Sequence, residues 1–137
     1  MQVHPFSVTL APPLQTAAGP MRHRRGFVVR RRVGDVAGIG EATPLRGWTE
    51  SLSACAAALA GDRPVDPRLT PAAHHALELA TVVAEARAAE ESVATHLGAP
   101  ATARVPVNAT VGLAAPPQVA TAVSEAVDAG YGTVKIK

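Results

Sequence analysis

Cysteine is nearly absent: Cys55 is the only one in 137 residues. That excludes an internal disulfide and any cysteine-cluster metal site, and it agrees with a reducing cytoplasm, the compartment expected here. Aromatic residues are as scarce, with one Trp, one Tyr and two Phe. The core must therefore come from small, closely packed side chains, and the alanine content favours helices. No stretch approaches the roughly 20 apolar residues of a membrane span. A signal peptide is not expected either, because the start carries no basic cluster and Pro5, Pro12 and Pro13 interrupt it.

Acidic residues are missing from the first third until Asp35, while six arginines fall between Arg22 and Arg32. This basic run raises the possibility of a nucleic-acid binder. The formal net charge is only +2, no stacking aromatics surround the run, and no helix-turn-helix or zinc pattern occurs, so neither a nucleic acid nor a membrane is expected as partner. No His-Glu-x-x-His pattern is present, and His4, His23, His74, His75 and His96 are assigned no metal.

What the sequence does hold is 47% apolar residues, enough for one core. Val3 to Leu10 reads as a strand. Gly26 to Val33 reads as a second, with Phe27, Val29 and Val33 on one face and Arg31 as the exception. Gly34-Asp35 is a hairpin turn into a third, Val36 to Ala42. Between the first two, Pro12 to Arg25 reads as an exposed mobile loop. A second loop, Thr43 to Trp48, leads to a helix capped by Thr49 and ended by Gly61. Thr70-Pro71 opens a longer helix with Ala76, Leu79, Ala80, Val83 and Leu97 near one face, stopping at Gly98.

The last forty residues change character. Val105 to Val111 and Gly132 to Lys137 read as strands around a helix from Pro116 to Ala129, whose Val119, Ala120, Val123, Ala126 and Val127 follow the spacing of a helix laid on a sheet. A single parallel pair with one covering helix leaves a face and an edge open, so the chain is expected to be a fragment. The fold class predicted is an α+β capping domain, a three-stranded antiparallel meander plus helices, followed by the first βαβ of a truncated TIM-type barrel. The expected division is 1–100 for the first and 101–137 for the second.

Lys135-Ile136-Lys137 puts two ammonium groups on one side of a strand. On an interior barrel strand, desolvation and like-charge repulsion would lower their pKa values toward those useful to a general base. On an edge strand they are two ordinary solvated lysines. The carboxylates Asp62, Asp66, Glu78, Glu85, Glu90 and Glu91 read as solvated, and Cys55 as a small buried apolar residue.

The stretch Gly38-Ile39-Gly40-Glu41-Ala42-Thr43-Pro44-Leu45-Arg46-Gly47-Trp48-Thr49-Glu50-Ser51 resembles a segment of the o-succinylbenzoate synthases of the enolase superfamily. Val105-Pro106-Val107-Asn108-Ala109 is similar to their first barrel strand, and Gly130 to Lys137 to the second, with its K-x-K motif. The resemblance implies a carbon–oxygen lyase of menaquinone biosynthesis. A proton is abstracted beside a carboxylate, giving an enolate held on magnesium, and water is then lost to leave o-succinylbenzoate. Lys137 would remove the proton and help the hydroxyl depart, and Lys135 would stay charged and tune it. The metal ligands would lie beyond Lys137, so the chain alone is expected to be inactive. Leu45, Gly47 and Trp48 would contact the small-molecule carboxylate substrate, with Arg24 drawing it in; a Trp48 that staples its loop to the next helix is the plainer alternative. Sister activities on the same scaffold are N-acylamino acid racemase, dipeptide epimerase and cycloisomerase.

Overall fold

The computed structural model describes residues 1–137 apart from 17–18, 101–103 and 113–114. Three strands, β1 (Gln2–Thr16), β2 (Gly19–Val33) and β3 (Val36–Ala42), form a sheet in the order β1-β2-β3. Helices α1 (Leu52–Ala60), α2 (Pro71–Ala88) and α3 (Val93–His96) follow. Then come β4 (Ala109–Val111), α4 (Pro116–Asp128) and β5 (Val134–Ile136), with β4 and β5 parallel. The antiparallel meander with helices, succeeded by a βαβ piece, is the predicted fold class. Contacts divide the chain into two compact units, Met1–Pro13 with Arg22–Ala101, and Leu14–Met21 with Thr102–Lys137. The expected boundary at 100/101 adjoins 101–103, outside the described residues.

The first unit is built on a very close approach of backbones. Antiparallel pairing sets Val29 opposite Gly40 and Arg31 opposite Gly38, so these residues share the sheet face that meets α2. A Cβ on Gly38 would lie 1.7 Å from the carbonyl oxygen of Ala80, and one on Gly40 would lie 1.9 Å from that of Ala76. Ala76, Ala80 and Ala84 recur every fourth residue along one stripe of α2 and are buried, so neither element carries a side chain larger than methyl at the contact. Phe27, Val29, Cys55 and Leu59 fill the space beside this seam. Arg31, the exception on the apolar face, reaches across to donate to Thr81 Oγ1 at 3.2 Å.

Several local expectations are corrected. Pro12 to Arg25 is not a loop: β1 runs on to Thr16, and β2 begins at Gly19, whose φ is 103°. Of the prolines that suggested a loop, Pro12 and Pro13 sit on β1, an edge strand, and Pro20 on the part of β2 that precedes its pairing with β3, where a missing N–H need not cost a ladder bond. Ser51, rather than Thr49, caps α1, its hydroxyl accepting from Ala54 N at 3.1 Å. Gly61 ends α1 at φ 87° as expected. The second helix stops at Ala88, ten residues short of Gly98, because Glu90 takes a left-handed φ of 57° before the short α3. Leu97 is 68% exposed and so lies on no core face. On α4, Val119, Val123 and Ala126 are at least half-buried, whereas Ala120 and Val127 are exposed. The strand expected from Val105 begins only at Ala109, and Val105 and Val107 are exposed.

Three of the carboxylates read as solvated have partners after all: Asp66 Oδ1 accepts from Arg68 N at 2.7 Å and Leu69 N at 3.1 Å, and Glu85 and Glu91 meet His96. His96 Nδ1 lies 2.7 Å from Glu91 Oε1 and its Nε2 lies 3.5 Å from Glu85 Oε2. With a carboxylate at each ring nitrogen, only the imidazolium has enough N–H groups to serve both. The hydrogen bond to Glu91 raises the pKa of His96 above its usual 6.5, and Glu85 adds to this. A folded-state pKa above the unfolded value stabilises below the unfolded pKa, and that stabilisation is lost as pH rises through the folded one. Thermal unfolding midpoints should therefore fall on the alkaline side of pH 6.5 in the native chain, and this decline should shrink in His96→Gln.

Candidate functional site

The loop between β3 and α1 is fixed along its whole length. At its start, Arg24 Nη2 donates to the carbonyl of Thr43 at 2.9 Å and Nη1 to that of Pro44 at 3.4 Å. In its middle, the carbonyl of Leu45 accepts from both Trp48 N and Thr49 N at 2.9 Å, and Gly47 supplies the left-handed φ of 87° that this turn requires. The Thr49 hydroxyl accepts from Leu45 N at 2.7 Å, closing the turn into a ring. Trp48 projects from this ring 84% exposed, which rules out the stapling role, while Leu45 is half-buried beneath it in sequence.

Glu50 anchors the end of the loop. It is 9% exposed, and its two carboxylate oxygens accept from Ala72 N at 3.1 Å and Ala73 N at 2.9 Å. Pro71 has no N–H and His74 N already bonds the carbonyl of Thr70, so the first-turn donors of α2 are all accounted for. Thr70, in turn, makes no side-chain cap and instead bonds the backbone of Asp66. The carboxylate also faces Cys55, whose thiol is pushed up to about 12 by burial first and by Glu50 second. That is the inert buried thiol expected from its surroundings.

A shallow cleft of about 480 Å³ opens beside the loop, with Arg24, Glu41, Thr43 and Thr49 on one side and Ala72, His75 and Leu79 of α2 on the other. Glu41 accepts a hydrogen bond from the Thr43 hydroxyl. Of the residues named from the sequence, Arg24, Leu45, Gly47 and Trp48 thus fall together in the first unit. Thr49, Glu50 and His75 were not foreseen. Thr49 had a local signal, four residues after Leu45, whereas Glu50 meets a helix end more than twenty residues on.

In the second unit, Lys135 pairs with Thr110 across the parallel ladder, and Lys137 N donates to the carbonyl of Val111 at 3.0 Å. Alternation places both side chains on one side of the strand, and both are exposed. Among the described residues no three His, Cys, Asp or Glu side chains gather in a way that could hold a metal ion. Among the described residues, no helix is long and apolar enough to cross a membrane.

No protein-family model matches the chain, and no curated protein matches it. Solved structures do. A dipeptide epimerase from Methylococcus capsulatus, complexed with Mg and the dipeptide L-Arg-D-Lys, is 26% identical with a TM-score of 0.80, over 98% of this chain and 44% of that one. An enolase family member from Agrobacterium tumefaciens with homology to dipeptide epimerases, bound to sodium and L-Ala-L-Glu, is 26% identical with a TM-score of 0.76, over 99% and 44%. The fold is that of the enolase superfamily. An o-succinylbenzoate synthase of this superfamily from Thermosynechococcus elongatus, complexed with Mg, is 29% identical with a TM-score of 0.55, over 98% and 41%. The chain thus spans less than half the length of the enolase-superfamily structures it matches, with the dipeptide epimerases nearer in shape and the synthase nearer in sequence.

Proposed function

We propose that the chain is the N-terminal part of an o-succinylbenzoate synthase, a carbon–oxygen lyase, with residues 1–100 as capping domain and 101–137 as the start of a catalytic barrel that continues beyond Lys137. The observation that carries the reading is the closed turn Leu45–Thr49, which holds a nearly fully exposed indole out from the fold. An aromatic side chain exposed to water on a closed turn invites an apolar contact, and the ring and aliphatic parts of the cyclohexadiene substrate provide one. Leu45, Gly47 and Trp48 form this contact surface, and Arg24, on the rim of the cleft, contributes positive charge toward a dicarboxylate.

In the complete protein, Lys137 as the free amine takes the proton from the carbon beside the carboxylate and returns a proton to the departing hydroxyl, which leaves as water. Lys135, two residues away on the same side of the strand, tunes Lys137 as a neighbouring positive charge. Magnesium is the cofactor proposed for the complete protein, and among the described residues no three His, Cys, Asp or Glu side chains gather to hold it.

A second reading is favoured by the higher TM-scores of the dipeptide epimerases. The same lysine would then exchange a proton at the α-carbon of a dipeptide. Carrying the reading frame past Lys137 and supplying magnesium, the purified protein should form o-succinylbenzoate from its cyclohexadiene precursor. Epimerisation of dipeptides with no such product would overturn the synthase and leave the scaffold.

A further inference from the structure

The contact surface proposed above depends on the turn that carries Trp48, and the bonds that close this turn are specific. Hydrogen bonds converge on Leu45: its carbonyl accepts from Trp48 N and Thr49 N, its own N–H donates to the Thr49 hydroxyl, and that hydroxyl also lies 3.5 Å from the Leu45 carbonyl. The first two belong to any tight turn. The third needs a hydroxyl at position 49, and it is the shortest of them at 2.7 Å. Thr49 is half-buried, so its side chain is already fixed, and it lines the cleft that Arg24 and Glu41 also line. Arg24 ties the backbone immediately upstream, at Thr43 and Pro44, and Glu50 ties it immediately downstream to α2. Between these two anchors, Thr49 is the one residue whose side chain hydrogen-bonds within the turn itself among the described residues.

We propose that Thr49 is a positioning residue: its hydroxyl closes the Leu45–Thr49 turn and so presents the Trp48 indole as a preformed apolar contact for the substrate. The inference rests on the reading that Trp48 meets substrate. Preorganisation of this kind acts on binding, because an indole already in place spends no ordering entropy when substrate arrives. Thr49 therefore sets KM and leaves the proton-transfer step alone.

Because Trp48 is the sole tryptophan of the chain, its emission anisotropy reads the turn directly. In the 137-residue chain, Thr49→Val keeps the side-chain shape but strands the Leu45 N–H, and the closed turn should become about three- to tenfold less populated, the weight of one neutral hydrogen bond. Anisotropy should fall in Thr49→Val and Thr49→Ala and return in Thr49→Ser, which keeps the hydroxyl. In the protein carried past Lys137, Thr49→Val should raise KM by a similar factor with kcat nearly unchanged, and Thr49→Ser should restore it. Unchanged anisotropy in both Thr49→Val and Thr49→Ala would overturn the positioning role. Lowered anisotropy with an unchanged KM would instead remove Trp48 from the substrate contact and sink that part of the functional reading.

Discussion

Gly40→Ala should lose about 2 kcal/mol of stability and about 8–16 °C in thermal midpoint, and Gly38→Ala at least as much. A methyl group at either position would stand under 2 Å from a carbonyl oxygen of α2, at Ala76 or Ala80, a distance no real Cβ shows. The obstacle is backbone, not the end of a flexible side chain, so relief requires the whole helix to move off the sheet. Such a shift would open gaps around Val29 and Ala76, which are fully buried in the same core. Gly132→Ala is the control, since a Cβ there meets nothing within 4 Å and its φ is not in the left-handed region. Scanning calorimetry of the three variants settles the matter. Equal midpoints would mean that α2 is free to slide, and that the close seam between helix and sheet is not what holds the first unit together.

The other large effect concerns chemistry. Lys137→Ala in the protein carried past Lys137 should cost about 10²–10⁴-fold in turnover, the usual contribution of a positioned general base. Lys137→Arg should be nearly as damaging, because a guanidinium stays protonated and cannot accept the proton. The assay is formation of o-succinylbenzoate together with solvent-deuterium incorporation into recovered substrate. Loss of both signals with substrate binding retained fits a base. Full activity in Lys137→Arg would exclude proton abstraction by this residue.

How far the sequence prefigured these features depends on how local their causes are. Alternation at Phe27, Val29 and Val33 with the Gly34-Asp35 turn marked β2 and β3, because one face buried and one face wet leaves a period of two. Pro12, Pro13 and Pro20 hid how far β1 and β2 extend, since the same residues that punctuate loops are also accepted on a strand with a free edge. The end of α2 was illegible, because nothing in Glu90 announces the left-handed φ at which the helix breaks. The Lys135-x-Lys137 pair and the Pro44 to Trp48 stretch were readable as motifs. The bonds that shape that stretch were less so, because Arg24 and Glu50 act across the fold rather than along the chain.

The glycine-and-methyl seam of β3 and α2 bears on how the protein responds to temperature. Leu59, Val29 and Cys55 are the largest side chains that are fully buried, so folding hides comparatively little hydrocarbon for each residue ordered. Unfolding then exposes little apolar surface, and the heat-capacity increment that bends a stability curve is correspondingly small. A flat curve is the result: stability held by contact between backbones varies gently from cold to warm, where a core of large aliphatic and aromatic groups would weaken steeply on cooling.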